Sequence, residues 1–221
     1  MTIRSFETRA VSLASAPEPI RNSPGEAIAN FVTLKLRSDE GLDGIGYGGF
    51  VPMAVLPALK AMLDGLAELT VGMDALDHEA IAQKLLWQGG FGSPGGLVTR
   101  AVSAIDTALW DIKGKAFSQP VWKLLGGLRN RVPCYASGRL WRNHDLETLA
   151  ADGPKLVEQG FRAMKFRMGA ERSHHAELER LRVLREAVGP DIDLMVDINQ
   201  GWDVNRAIRV GRQMEAYDLY W

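Results

Sequence analysis

One cysteine, Cys134, stands in a chain of 221 residues. A single thiol excludes an internal disulfide framework and any C-x-x-C zinc or redox site, and it fits a reducing compartment. No apolar run approaches the roughly 18 residues that a membrane span requires, and the N-terminal MTIRSFETR lacks the apolar stretch of a signal peptide. The expectation is a cytoplasmic chain with no membrane partner. Charge of one sign is missing too: Lys+Arg 26 against Asp+Glu 27 gives a net charge of -1, which leaves no overall field to gather nucleic acid. Neither a G-x-S-x-G elbow nor a G-x-x-x-x-G-K-[ST] loop occurs, so the sequence offers no motif for a serine hydrolase or a P-loop NTPase.

What is present, 46% hydrophobic and 24% charged residues, suits a globular protein of one or two domains. The first part reads as strands at Ile3 to Leu13, Ala27 to Leu36 and Gly44 to Tyr47, the last following the turn SDEGLDG. That pattern predicts an antiparallel meander. Between the first two strands APEPIRNSPG, residues 16–25, reads as a surface loop. Helices are predicted over 52–68, 74–88 and, most clearly, 97–116, where Val98, Ala101, Val102, Ile105, Ala108, Leu109 and Ile112 recur at helical spacing.

After LLGGLRNR, residues 124–131, the rhythm changes. Strand VPCYAS, helix 145–159, strand RAMKFRM, helix 174–188, strand DLMVDIN, helix 203–216 and LYW follow in turn. Repeated β-α units imply parallel strands, so a domain boundary is placed near residue 130, with an α+β domain before it and a β/α domain after. A closed eight-stranded β/α barrel takes roughly 250 residues, whereas only three units and a stub follow the boundary. The expectation is therefore a portion of a longer polypeptide, or else a smaller open sheet whose edge needs covering.

In AMKFRMG, Lys165 and Arg167 share one face of a strand and Met164, Phe166 and Met168 the other. Two cations directed into a parallel sheet need an anion, either a substrate or a structural ion-pair partner. In LMVDINQGW, Asp197 and Asn199 share a face at the carboxyl end of a strand, where β/α barrels keep their active sites. A carboxylate and an amide are oxygen ligands suited to Mg²⁺, although an Asx-turn or helix cap would use the same residues. Asp203 is the better placed cap for the next helix.

Other signals are weaker. Gly44, Gly46 and Gly49 formally match G-x-G-x-x-G, but a polar turn precedes them where a dinucleotide site needs a buried strand. His174 and His175 are adjacent and diverge on a helix, so they read as a solvated helix start. Trp87, Trp110 and Trp122 read as packing anchors, and Cys134 as a core residue on a strand.

Taken with SAIDTALWDIKGKAFSQPVWKLLGG at 103–127, the Lys-x-Lys-like motif on one strand and V-D-x-N on the next resemble the mandelate racemase / muconate lactonizing enzyme family of the enolase superfamily. The likeness runs through essentially the whole chain. It implies an α+β capping domain at 1–130 and, from 131 to 221, the first three to four strands of a TIM-like, modified (β/α)7β barrel. It also implies a homo-oligomer and one Mg²⁺ per site that stabilises an enediolate formed by removing the proton α to a carboxylate. By the same resemblance Asp197 is the first of three carboxylate ligands, Asn199 lies beside the substrate, and Lys165 neutralises the substrate carboxylate. Tyr47, in the GYGGF segment at 46–50, and the 16–25 loop would close the pocket. The remaining metal carboxylates and a histidine–aspartate base would follow residue 221.

Where the family often has a second lysine as base, this sequence has Arg167, and a guanidinium holds its proton at any ordinary pH. One principal base then suits dehydration of a sugar acid or related hydroxy acid, a carbon–oxygen lyase reaction, better than two-base racemisation. A racemase, epimerase or cycloisomerase of the same family is the alternative. A chain complete at 221 residues would read instead as a non-catalytic binding or structural relative.

Overall fold

The computed structural model describes residues 1–14, 28–90 and 95–221. The expected loop at 16–25 lies outside the described residues. Packing divides the chain into two compact units, one built on the described residues up to Asn130 and the other on Arg131–Trp221.

In the first unit β1 (Ile3–Ala14), β2 (Ile28–Ser38) and β3 (Asp43–Gly49) form an antiparallel sheet in that order. Strand periodicity directs Val32, Leu34 and Leu36 of β2 into the core. Helices α1 (Leu56–Glu68), α2 (His78–Gly89) and α3 (Gly96–Ala116) complete the unit, α3 through a buried stripe of Ala101, Ala104, Ile105, Ala108, Leu109 and Ile112. Each fully buried leucine or isoleucine in this core contributes about 1.5–3 kcal/mol. The glycines of β3 seat α3: a Cβ on Gly46 would fall 1.9 Å from the Ala104 carbonyl oxygen, and one on Gly44 2.1 Å from that of Ala108. The G-x-G pattern thus serves helix–sheet contact. Met53–Val55 forms a 3-10 turn ahead of α1, so the expected helix at 52–68 begins later, at Leu56 with Pro57 in its first turn.

Two of the three tryptophans expected to anchor packing do not. Trp87 is 70% exposed, because Ile81 and Leu85 take the core side of α2 and Trp87 lies two positions further round the helix. Trp122, on the short helix α4 (Val121–Leu124), is 42% exposed. Trp110 is half-buried, its ring 4.3 Å from that of His78.

The second unit contains α5 (Leu146–Glu158), β4 (Ala163–Arg167), α6 (His174–Val188), β5 (Asp193–Asp197) and α7 (Val204–Met214). β4 and β5 pair in parallel with Arg167 opposite Asp197. The expected strand VPCYAS is corrected to an irregular segment in which Ala136 alone bridges to β4. Pro133 has no N–H to give a ladder, and Cys134 is exposed instead of in the core. Beyond it, the Arg167 N–H donates to the Leu140 carbonyl, so this segment still runs beside β4. Leu219 bridges Leu194 on the other side of β5, in parallel. Met164, Phe166 and Met168 are fully buried, with Leu181 and Leu184 of α6 in the same core. Ser173 and Asp203 cap α6 and α7 through their side-chain oxygens, and His175 is exposed at the first turn of α6.

Candidate active site

The carboxyl ends of β4 and β5 carry the candidate residues. Because β4 alternates, burying Met164 and Phe166 turns Lys165 and Arg167 to the opposite face. Register sets Asp197 beside Arg167, and the Lys165 Nζ reaches the Asp197 Oδ2 at 3.0 Å. The Arg167 guanidinium is 3.7 Å from the same oxygen. Just past β5 the chain enters the left-handed region at Asn199 (φ 46) and Gln200 (φ 61), a conformation that asparagine tolerates better than most residues. That turn lets the Asn199 N–H donate to Asp197 Oδ1 at 2.9 Å, so Asp197 makes the Asx-type bond while it also pairs with Lys165. Burial pushes the Asp197 carboxyl up, but the Asn199 N–H, the Lys165 ammonium and the Arg167 guanidinium outweigh it and hold the group below the usual aspartate range.

The Asn199 side chain ties the two ends together. Its Oδ1 accepts from Arg167 and from Arg142, each at 2.6 Å. Arg167 also lies over the Trp141 ring, 4.4 Å from its centroid, and its Nε is buried without a hydrogen-bond partner. Lys165, Arg167, Asp197 and Asn199 are therefore brought together, whereas Tyr47 belongs to the first unit. There it is 58% exposed on β3, edge-on to Phe31.

Several residues that the sequence did not single out build this end of the sheet. Glu177 of α6 is fully buried and accepts the backbone N–H groups of Gly169 and Glu171 at 3.0 and 2.9 Å, pinning the loop after β4. Its guanidinium neighbour, Arg206, lies 3.8 Å away. Gly169 (φ 92) approaches the loop after β5 so closely that a Cβ would fall 2.9 Å from the Ile198 carbonyl. Glu177 was detectable as a carboxylate at helical spacing from Leu181 and Leu184, hence on the apolar face. Arg142 and Trp141 carried no such signal, since they lie in irregular chain.

Among the described residues no group of three His, Cys, Asp or Glu side chains converges on a metal-sized site. The donor chemistry nonetheless suits a hard divalent cation. Asp197 is an ionised, partly exposed carboxylate, the kind of hard oxygen donor that Mg²⁺ takes from a protein while keeping waters in its shell. No helix among the described residues is long and apolar enough to cross a membrane.

The sequence and the fold are both similar to those of known proteins. Residues 7–126 match the mandelate racemase / muconate lactonizing enzyme N-terminal domain, and residues 148–221 match the enolase C-terminal domain-like family. The chain is 35% identical over 212 residues to 3,6-anhydro-alpha-L-galactonate cycloisomerase of Streptomyces coelicolor, covering 93% of this chain and 57% of that relative. It is 34% identical over 201 residues to L-talarate/galactarate dehydratase of Salmonella typhimurium, covering 91% of this chain and 50% of the relative. The crystal structure of a racemase from Streptomyces coelicolor A3(2) with bound magnesium superposes with a TM-score of 0.89 at 33% identity, over 99% of this chain and 61% of that one. The chain thus spans about half the length of the curated relatives it matches. It belongs to the mandelate racemase / muconate lactonizing enzyme family of the enolase superfamily, and comprises the capping domain and the start of the barrel domain.

Proposed function

We propose that the protein is a Mg²⁺-dependent dehydratase of a sugar acid or related hydroxy acid. The observation that carries this reading is the state of Arg167. It is bonded to Asn199, stacked on Trp141 and close to Asp197, so it is held as a fixed cation and not as a proton carrier. In the reaction, the C–H bond α to the substrate carboxylate breaks and its proton passes to one principal base. The electron pair moves into an enediolate, the β C–O bond breaks, and the hydroxyl leaves as water with one proton. The enol product tautomerises to a 2-keto acid. Lys165 supplies countercharge to the substrate carboxylate, and Asn199 keeps Arg167 and Asp197 in register with it. Asp197 would contribute one ligand to Mg²⁺, which when bound supplies Lewis-acid stabilisation of the developing oxyanion.

A second reading, cycloisomerisation or racemisation, is supported by the relatives that carry those names. It shares the proton abstraction and differs in the fate of the carbanion. The complete native polypeptide, incubated with a sugar-acid library in Mg²⁺ and then in EDTA, separates the two. Metal-dependent 2-keto acid supports the dehydratase. Exchange of the α-proton with solvent deuterium, without keto acid, transfers the assignment to the second reading.

A further inference from the structure

β3 lies at one edge of the antiparallel sheet, with β2 as its neighbour, and an edge strand offers its outward N–H and C=O groups as a template for another strand. Four of its seven residues are glycine, so it has few side chains to fix the register of a strand that adds to it. Three of its outward groups are taken, each by a side chain of α3. The Ile45 N–H donates to the Asp111 Oδ2 at 2.9 Å, the Lys115 Nζ donates to the Asp43 carbonyl at 2.6 Å, and Arg100 donates to the Gly49 carbonyl at 2.7 Å. Asp43, Ile45 and Gly49 are of one parity along the strand, the parity whose backbone groups point away from β2. Positions 100, 111 and 115 return to one side of a helix, the side that meets the strand. Lys115 also bonds Asp111 at 2.7 Å, so the donor and the acceptor hold each other over the edge. Gly44 and Gly46 make this possible, since their lack of a Cβ lets α3 come close enough for a short aspartate to reach the strand.

We propose that Arg100, Asp111 and Lys115 form a guard on the outer edge of β3, which closes the sheet to strand addition by a second copy of this chain. A second copy is the partner at issue because two β3 edges can meet antiparallel about a two-fold axis and continue both sheets. Ile45 and Tyr47, 55% and 58% exposed, would then extend one apolar surface across the pair. An added strand needs outward donors and acceptors at alternate residues. The Asp43 carbonyl and the Ile45 N–H, adjacent sites on that edge, already hold charged partners, and such bonds are about twice as strong as those between neutral groups. An incoming strand would exchange them for neutral bonds and would meet the Asp111 and Lys115 side chains in its path.

The test compares the complete native polypeptide with its Asp111→Ala/Lys115→Ala variant, by residue-resolved hydrogen exchange over β3 and by light scattering across a concentration series. In the variant the Ile45 amide is expected to exchange about tenfold faster or more, the effect of losing a hydrogen bond to a charged group. The scattering mass of the variant should climb with concentration above that of the wild type at the same concentration. Asp111→Asn, which keeps an oxygen for the Ile45 N–H, should fall between the two. Ile45→Pro, added to the double variant, removes the outward donor without touching the pairing with β2 and should return the mass to the wild-type value. Faster exchange with no rise in mass overturns the guard, and so does unchanged exchange. Association that survives Ile45→Pro also overturns it, since that association uses another surface. Where the double variant does not fold, Asp111→Ala alone is read by the same two measurements, because the Lys115 bond to Asp43 still ties α3 to β3.

Discussion

The Lys165 ammonium lies 3.0 Å from the Asp197 carboxylate across two neighbouring parallel strands, with the Lys165 side chain 12% and the Asp197 side chain 25% exposed. Neither group could sit so far out of water alone, and each is the other's solvation. The pair is also the contact that a divalent cation and a substrate carboxylate would have to divide between them.

Asp197→Asn is expected to weaken Mg²⁺ binding and reduce turnover by at least about 100-fold, since it removes the ionised ligand and leaves the amide shape. The fold should largely persist at some cost in stability, because Asn retains an oxygen for the Asn199 N–H while Lys165 loses its ionised partner. Calorimetry with Mg²⁺ checks it, and unchanged metal affinity would take Asp197 out of the ligand set.

The acid limb of stability follows from the same group. In the folded protein Asp197 titrates below the ordinary aspartate range, so its favourable contribution is present above that range and is lost as pH falls through the lower folded value. The difference in urea stability between wild type and Asp197→Asn should stay flat from neutral pH down to about 4 and shrink only below it.

Asp106 behaves in the opposite sense. Burial raises its pKa, with His78 opposing and Glu79 adding to the shift, so ionising it costs stability as pH rises above the ordinary aspartate range. Asp106→Asn should therefore raise the thermal midpoint at pH 7, and the gain should vanish in acid below the ordinary aspartate range. A midpoint that drops at pH 7 would show that the carboxylate is needed for packing.

Gly46→Ala places a methyl group 1.9 Å from the Ala104 carbonyl oxygen, a backbone atom that cannot turn aside. The helix α3 would have to move off the sheet, at a cost of about 3 kcal/mol. A urea unfolding series on wild type and variant reads it directly.

Glu177→Ala leaves the Gly169 and Glu171 N–H groups without their acceptor and Arg206 beside an empty space. A loss of about 3 kcal/mol is expected, as for other buried charges stripped of a partner. Because the loop after β4 is what Glu177 pins, KM should rise along with the loss of stability in steady-state assays.

Periodicity of two in AMKFRMG and LMVDIN told in advance which side chains face the apolar layer and which face away, because strand alternation is a property of the local backbone. Helical spacing did the same for α3, and the Asp203 cap needed only its position before an amphipathic segment. Where local rules met non-local demands they failed. VPCYAS has the composition of a strand, but only Ala136 finds a partner on β4, since a ladder depends on register with a segment some 30 residues away. Trp87 has the bulk of a core residue and the wrong angular position on α2.

Sequence alone thus determined the elements, their order and the residue types at the strand ends, all of which follow from interactions a few residues apart. Tertiary structure decided what those residues meet. The convergence of Arg142 and Arg167 on Asn199, separated from it by 57 and 32 positions, depends on two left-handed residues, a close glycine contact and a buried glutamate acting on separate loops. Electrostatic contacts of that kind vary with distance on the scale of an ångström, and no local pattern carries that distance.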